Sequence, residues 1–151
     1  CQWFIPRWKT DTGAIMLRSA AAYLVSWVTF VAIDLTWLGV MAPRFYKPTL
    51  SDIALTDVNL PPAILFYLLY PLGIVIFAVE PAARSGSVGT ALLYGALFGF
   101  FTYATYDLTN QATLRNWTAM LTVVDVAWGT VLGAFVAFVS TVVVTRMLPS
   151  G

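Results

Sequence analysis

Histidine is absent from this chain of 151 residues, cysteine occurs once, and only two lysines, Lys9 and Lys47, are present. Without histidine there is no His-ligated haem, no His-containing zinc site and no Ser-His-Asp relay. A lone Cys1 excludes internal disulfides, thiolate metal clusters and redox pairs. Neither lysine lies in an apolar run, so a retinal-type Schiff base inside a bilayer is excluded as well. Charge is the largest deficit. Only 10% of residues are charged, against about 25% in a soluble domain. Eight Lys+Arg and seven Asp+Glu leave a net charge of +1, and nothing basic or clustered suggests nucleic acid.

What is abundant is apolar. Hydrophobic residues make up 60% of the chain and the mean hydropathy is +0.81. This excludes a water-soluble globule and a disordered chain. It leaves an all-α integral membrane protein of one domain. Four stretches are long enough to cross about 30 Å of hydrocarbon, which takes roughly 20 helical residues. They run over about 19–42, ending at Pro43, then 61–83, 88–110 and 117–148. The first connection, Pro43 to Leu60, is long and polar; the other two are short, so helices two to four are antiparallel neighbours. The spacing therefore predicts a bundle of four transmembrane helices within residues 16–151. Residues 1–15 form a polar N-terminal extension containing Trp3 and Trp8, and Met16 is an alternative start. The first run is too long for a cleaved signal peptide and lacks a small-x-small site, and a lipidated Cys1 would require such a cleavage.

An even number of spans puts both termini on one side. Arg7, Lys9, Arg18, Arg84 and Arg146 share that side, against Arg44, Lys47 and Arg115 opposite. The positive-inside rule then makes both termini cytoplasmic, in a multi-pass protein of the bacterial inner membrane.

Charged residues inside a spanning helix cost about 2.5–3.5 kcal/mol each, so each needs a reason. Asp34 and Asp125 fall at matching positions in helices one and four, roughly 12 Å below the outer surface at 1.5 Å per residue. Asp107 falls in the last turn of helix three, at the mouth of the same region. Glu80, beside Pro81 and Arg84, reads as interfacial. Asp34-Leu-Thr-Trp37 and Asp125-Val-Ala-Trp128 repeat an Asp-x-x-Trp spacing that places each tryptophan on the face of its own acid. Because helices one and four run oppositely, the two motifs fit an inverted repeat. Gly95-Ala-Leu-Phe-Gly99 and Gly129-Thr-Val-Leu-Gly133 allow close backbone approach, and Asp125 shares the face of Gly129 and Gly133. Pro71 is expected to kink helix two beside the polar cluster.

These residues predict a pocket in the outer half of the membrane lined by Asp34, Trp37, Tyr103, Asp107, Asn110, Asp125 and Trp128. Thr36, Thr105, Tyr103 and Asn110 are the expected hydrogen-bond partners of the acids, and Arg115 the nearest cation. Two acids this close cannot both ionise cheaply, so one holds a proton or a cation sits between them. The pocket would bind or transport a small ligand, a proton or a lipid head group. Two other classes compete: an enzyme of lipid metabolism using an aspartate as acid or base, and an accessory subunit whose acids are structural. No nucleotide loop, metal-ligand set or cofactor motif is present. The expected partners are membrane lipids, with further copies of the chain or other membrane proteins reached through the GxxxG faces.

With these motifs assembled, the chain from about Leu17 to Leu148 resembles the bacterial membrane family catalogued as domain of unknown function 2177. The resemblance rests on Asp34-Leu-Thr-Trp37-Leu-Gly39, Phe66-Tyr-Leu-Leu-Tyr-Pro71, Gly95-Ala-Leu-Phe-Gly99, Thr102-Tyr-Ala-Thr-Tyr-Asp107-Leu-Thr-Asn110 and Thr122-Val-Val-Asp125-Val-Ala-Trp128-Gly129. It implies a small polytopic protein and transfers no activity or ligand.

The orientation is testable. In a Cys1→Ser background, an impermeant thiol reagent added from outside is expected to label Ser51→Cys and not Ser85→Cys. The reverse pattern overturns the topology.

Overall fold

A computed structural model describes residues 12–147. Cys1, Trp3, Trp8 and Leu148 lie outside the described residues, whereas residues 12–15 of the expected extension are already helical. Among the described residues, four helices are each long and apolar enough to cross a membrane: α1 (Thr12–Leu50), α2 (Leu60–Ser85), α3 (Val88–Thr113) and α4 (Ala119–Met147). The fold is an all-α, four-helix membrane bundle. Outward faces carry Leu24, Val28, Leu35, Leu65, Leu69, Leu93, Phe101, Val123 and Val131, all exposed. A soluble bundle places polar residues there; hydrocarbon is the solvent these faces match. Polar residues instead mark the turns. Gly86 takes a left-handed φ of 64° after α2, and the Ser87 N–H closes on Ala82 O at 3.2 Å. Ser87 then caps α3 by accepting from the Thr90 N–H at 3.3 Å. Thr118 does the same for Leu121 at the start of α4.

The prolines act differently from the sequence expectation. α1 does not end at Pro43. It passes through a π turn at Ala42–Tyr46 and continues to Leu50, so the connection to α2 shrinks to residues 51–59. A second π turn, Val75–Val79, interrupts α2 one turn past Pro71, while Pro71 itself lies within regular α-helix. A single residue separates each π turn from a proline. The Lys47 N–H reaches Ala42 O just before Pro48, and the Glu80 N–H reaches Val75 O just before Pro81. A proline ring collides with the carbonyl four residues back, here Arg44 and Phe77. Widening the preceding turn by one residue relieves that collision without breaking the helix.

Packing is closest between α3 and α4. Buried positions recur every fourth residue: Ala91, Gly95 and Gly99 on α3, and Gly129, Gly133, Ala137 and Thr141 on α4. A Cβ on Gly95 would overlap the Gly133 carbonyl, and one on Gly99 would overlap the Gly129 carbonyl. α1 joins through its own four-residue face, Ala22, Ser26, Phe30 and Asp34. Ser26 donates to Ser140 of α4 at 2.8 Å, and Phe30 packs with Ile74, Leu132 and Val136 in the apolar core. Near the termini, Ser19 donates to Glu80 at 2.7 Å, so Glu80 ties α2 to α1.

The glycine contacts generate a prediction. Gly99→Ala forces two backbones apart and is expected to cost about 1–3 kcal/mol, lowering the thermal midpoint in detergent. Val131→Ala, on the outward face, is expected to cost under about 0.5 kcal/mol. Equal midpoints for the two variants would show that the helices do not meet there.

Candidate functional site: a buried carboxylate–aromatic cluster

The three aspartates come together at the end of the bundle formed by the 51–59 and 114–118 connections. Four-residue spacing puts each on the inward face of its helix: Asp34 follows Phe30 by four, Asp107 extends the Gly95–Gly99 face, and Asp125 precedes Gly129 by four. All three are buried, at 4% exposure for Asp34, 0% for Asp107 and 9% for Asp125. Asp107 and Asp125 lie within each other's field, as do Asp125 and Asp34.

The indoles are exchanged between motifs. Trp128, on α4, donates its N–H to Asp34 Oδ1 on α1 at 3.3 Å. Trp37, on α1, donates to the Tyr46 hydroxyl at 3.0 Å, and Tyr46 in turn donates to Asp125 Oδ1 on α4. The two rings stack between the acids, 4.1 Å apart and 7° from parallel. The expectation that each tryptophan serves the acid of its own motif is therefore corrected. Trp128 reaches the acid of the other helix directly, whereas Trp37 is linked to Asp125 only through Tyr46 of its own helix. Asp34 receives a second donor, the Tyr67 hydroxyl of α2, at 2.8 Å. Hydrogen bonds to a charged group are worth about 1.5–3 kcal/mol each.

Asp107 is treated differently. Neither of its oxygens has a hydrogen-bond partner, although both are buried. The neighbouring indole N–H, that of Trp117, is given instead to the Thr122 hydroxyl at 3.2 Å. An ionised carboxylate so placed, with another carboxylate nearby, carries a desolvation penalty of several kcal/mol, which the neighbouring Trp117 indole offsets only in part. Asp107 is also not at a pocket mouth. α3 continues to Thr113, so Asp107 sits nearly two turns inside the helix and has no exposed surface.

Other expected partners are elsewhere. The Thr36 hydroxyl returns to Ala32 O and the Thr105 hydroxyl to Phe101 O, each at 2.7 Å, and both threonines are exposed. This back-bonding satisfies a hydroxyl within its own helix without turning it inward. Tyr103 lies with its ring on Gly129 and edge-on to Tyr70, 6.1 Å away. Asn110 is partly buried one turn beyond Asp107, and Arg115 is exposed on the turn. Among the described residues, no group of three or more Asp, Glu, His or Cys is arranged to hold a metal ion.

Sequence reasoning misses two residues central to the site. A helix end at Pro43 leaves Tyr46 in a loop, where no partner for it can be inferred. Tyr67 stands about two turns into α2, level with Asp34, and matching depth from the helix start would have found it.

The crossed bonds predict a measurable cost. Tyr46→Phe removes the donor to Asp125 and the acceptor of the Trp37 N–H, and is expected to cost about 1–3 kcal/mol. Trp37→Phe is expected to abolish the far-ultraviolet circular dichroism exciton couplet of the stacked pair. An unchanged midpoint in Tyr46→Phe would show that the end of α1 is not docked on Asp125.

The sequence profile of a family described as a predicted membrane protein, domain of unknown function 2177, matches residues 19–142. No curated protein and no solved structure matches the chain significantly. The matched span takes in all three aspartates, both stacked tryptophans, Tyr46, Tyr67 and both glycine pairs. With four spanning helices and this match, the chain is a multi-pass membrane protein and belongs to the domain of unknown function 2177 family.

Proposed function

We propose that this protein, in the bacterial inner membrane with both termini cytoplasmic, binds or transports a small ligand at the carboxylate–aromatic cluster. The cluster then lies in the outer half of the bilayer, and its ligand carries a positive charge or donor hydrogens: a proton, a cation or an ammonium head group. The observation that carries this reading is the buried carboxyl of Asp107 with neither oxygen partnered. A purely structural set of acids would be expected to have all its donors supplied, as Asp34 and Asp125 do. Stacked indoles and phenols around the acids favour a cation further, since aromatic faces attract positive charge. The accessory-subunit reading loses one support, because both glycine pairs are occupied within the chain.

The stacked tryptophans provide the readout. In folded wild-type protein, their circular dichroism couplet is expected to change on titration with acid or with ammonium chloride. Asp34→Asn and Asp125→Asn, which keep shape and delete charge, are expected to weaken that response at least tenfold. A couplet indifferent to both titrations, or fully retained responses in both variants, would leave the acids structural.

A further inference from the structure

Among the described residues, the buried side-chain atoms without a partner are Trp27 Nε1, Thr141 Oγ1 and both oxygens of Asp107. Only Asp107 is titratable. If the cluster is a ligand site, as proposed, the surroundings of Asp107 discriminate among a proton, a cation and an ammonium group. Three observations bear on the choice. First, Asp107 is fully buried, so nothing the size of a water molecule reaches its oxygens from outside. Second, the titratable groups that face the cluster are acids and phenols from every helix: Asp34 and Tyr46 of α1, Tyr67 and Tyr70 of α2, Tyr103 and Tyr106 of α3, and Asp125 of α4. Third, the donors are unevenly shared. Asp34 and Asp125 receive O–H and N–H groups suited to a carboxylate, while Asp107 receives none.

We propose that the ligand of this cluster is a proton, bound on the carboxyl group of Asp107. A proton is the one positive species that enters the closed site without displacing an atom. It removes the charge at the carboxyl that lacks donors and relieves the repulsion from Asp125. Asp34 and Asp125 keep their hydrogen-bonded carboxylates.

Infrared spectroscopy of the full chain in detergent tests this directly. The carbonyl stretch of an un-ionised carboxylic acid is expected at neutral pH, shifted in heavy water. It is expected to disappear in Asp107→Asn and to persist in Glu80→Gln, whose acid lies outside the cluster beside Ser19, with the tryptophan couplet confirming that each variant is folded. If Asp107→Asn does not fold, Asp107→Glu serves instead, because it keeps the acid and moves the band. No band in the wild type, a band untouched by both Asp107 substitutions, or a band lost in Glu80→Gln overturns the assignment. If the band is absent while ammonium chloride still changes the couplet, the proton assignment fails and the ligand site stands. If both are absent, both fail.

Discussion

The direct backbone contact of α3 with α4, Gly95 on Gly133 and Gly99 on Gly129, governs what the remainder of the cluster can be. Glycines at these positions bring the two helix axes closer than any side chain would permit. The four-residue faces that carry the glycines continue to Asp107 on one helix and lead back to Asp125 on the other. Two acids are thereby pressed into the same narrow seam. Asp107 has no exposed surface there, and Asp125 keeps 9%. The Tyr103 ring lies over Gly129, where any larger residue would collide.

The acids at the edge of the seam are served from farther away. Asp34 takes its donors from α2 and α4, and Asp125 takes one from the last turns of α1. That last donor depends on the π turn at Ala42–Tyr46. Had α1 stopped at Pro43, Tyr46 would belong to a loop; the widened turn carries the helix on and delivers the hydroxyl to Asp125. A proline conflict at Pro48 is thus resolved in a way that also satisfies a buried carboxylate. The second π turn, before Pro81, shows the same backbone response to a proline late in a long helix.

Stacking of Trp37 on Trp128 links the two halves of the cluster. Each indole is fixed by its ring partner and by its N–H acceptor, Tyr46 for Trp37 and Asp34 for Trp128. Tyr67 and Tyr70 extend this network into α2, where Tyr70 shares a 3.0 Å hydrogen bond with Thr102 of α3. All four helices therefore contribute to one connected set of polar and aromatic groups, inside a bundle whose outer surface is apolar.

Composition and run length were enough to determine the membrane class, four helices and their antiparallel order, because hydrocarbon thickness and backbone hydrogen bonding leave few alternatives. Four-residue periodicity likewise identified the inward faces of Gly95, Gly99, Asp125, Gly129 and Gly133, since helical pitch is a local property. Which donor meets which acid was decided only in three dimensions. The exchange of Trp37 and Trp128 depends on the relative depth of two antiparallel helices, and the arrival of Tyr46 on a backbone accommodation around Pro48. The isolation of Asp107 arises from the closeness of α3 and α4, which the residues of neither helix specify alone. Local spacing fixes a residue's face; only packing fixes what that face meets.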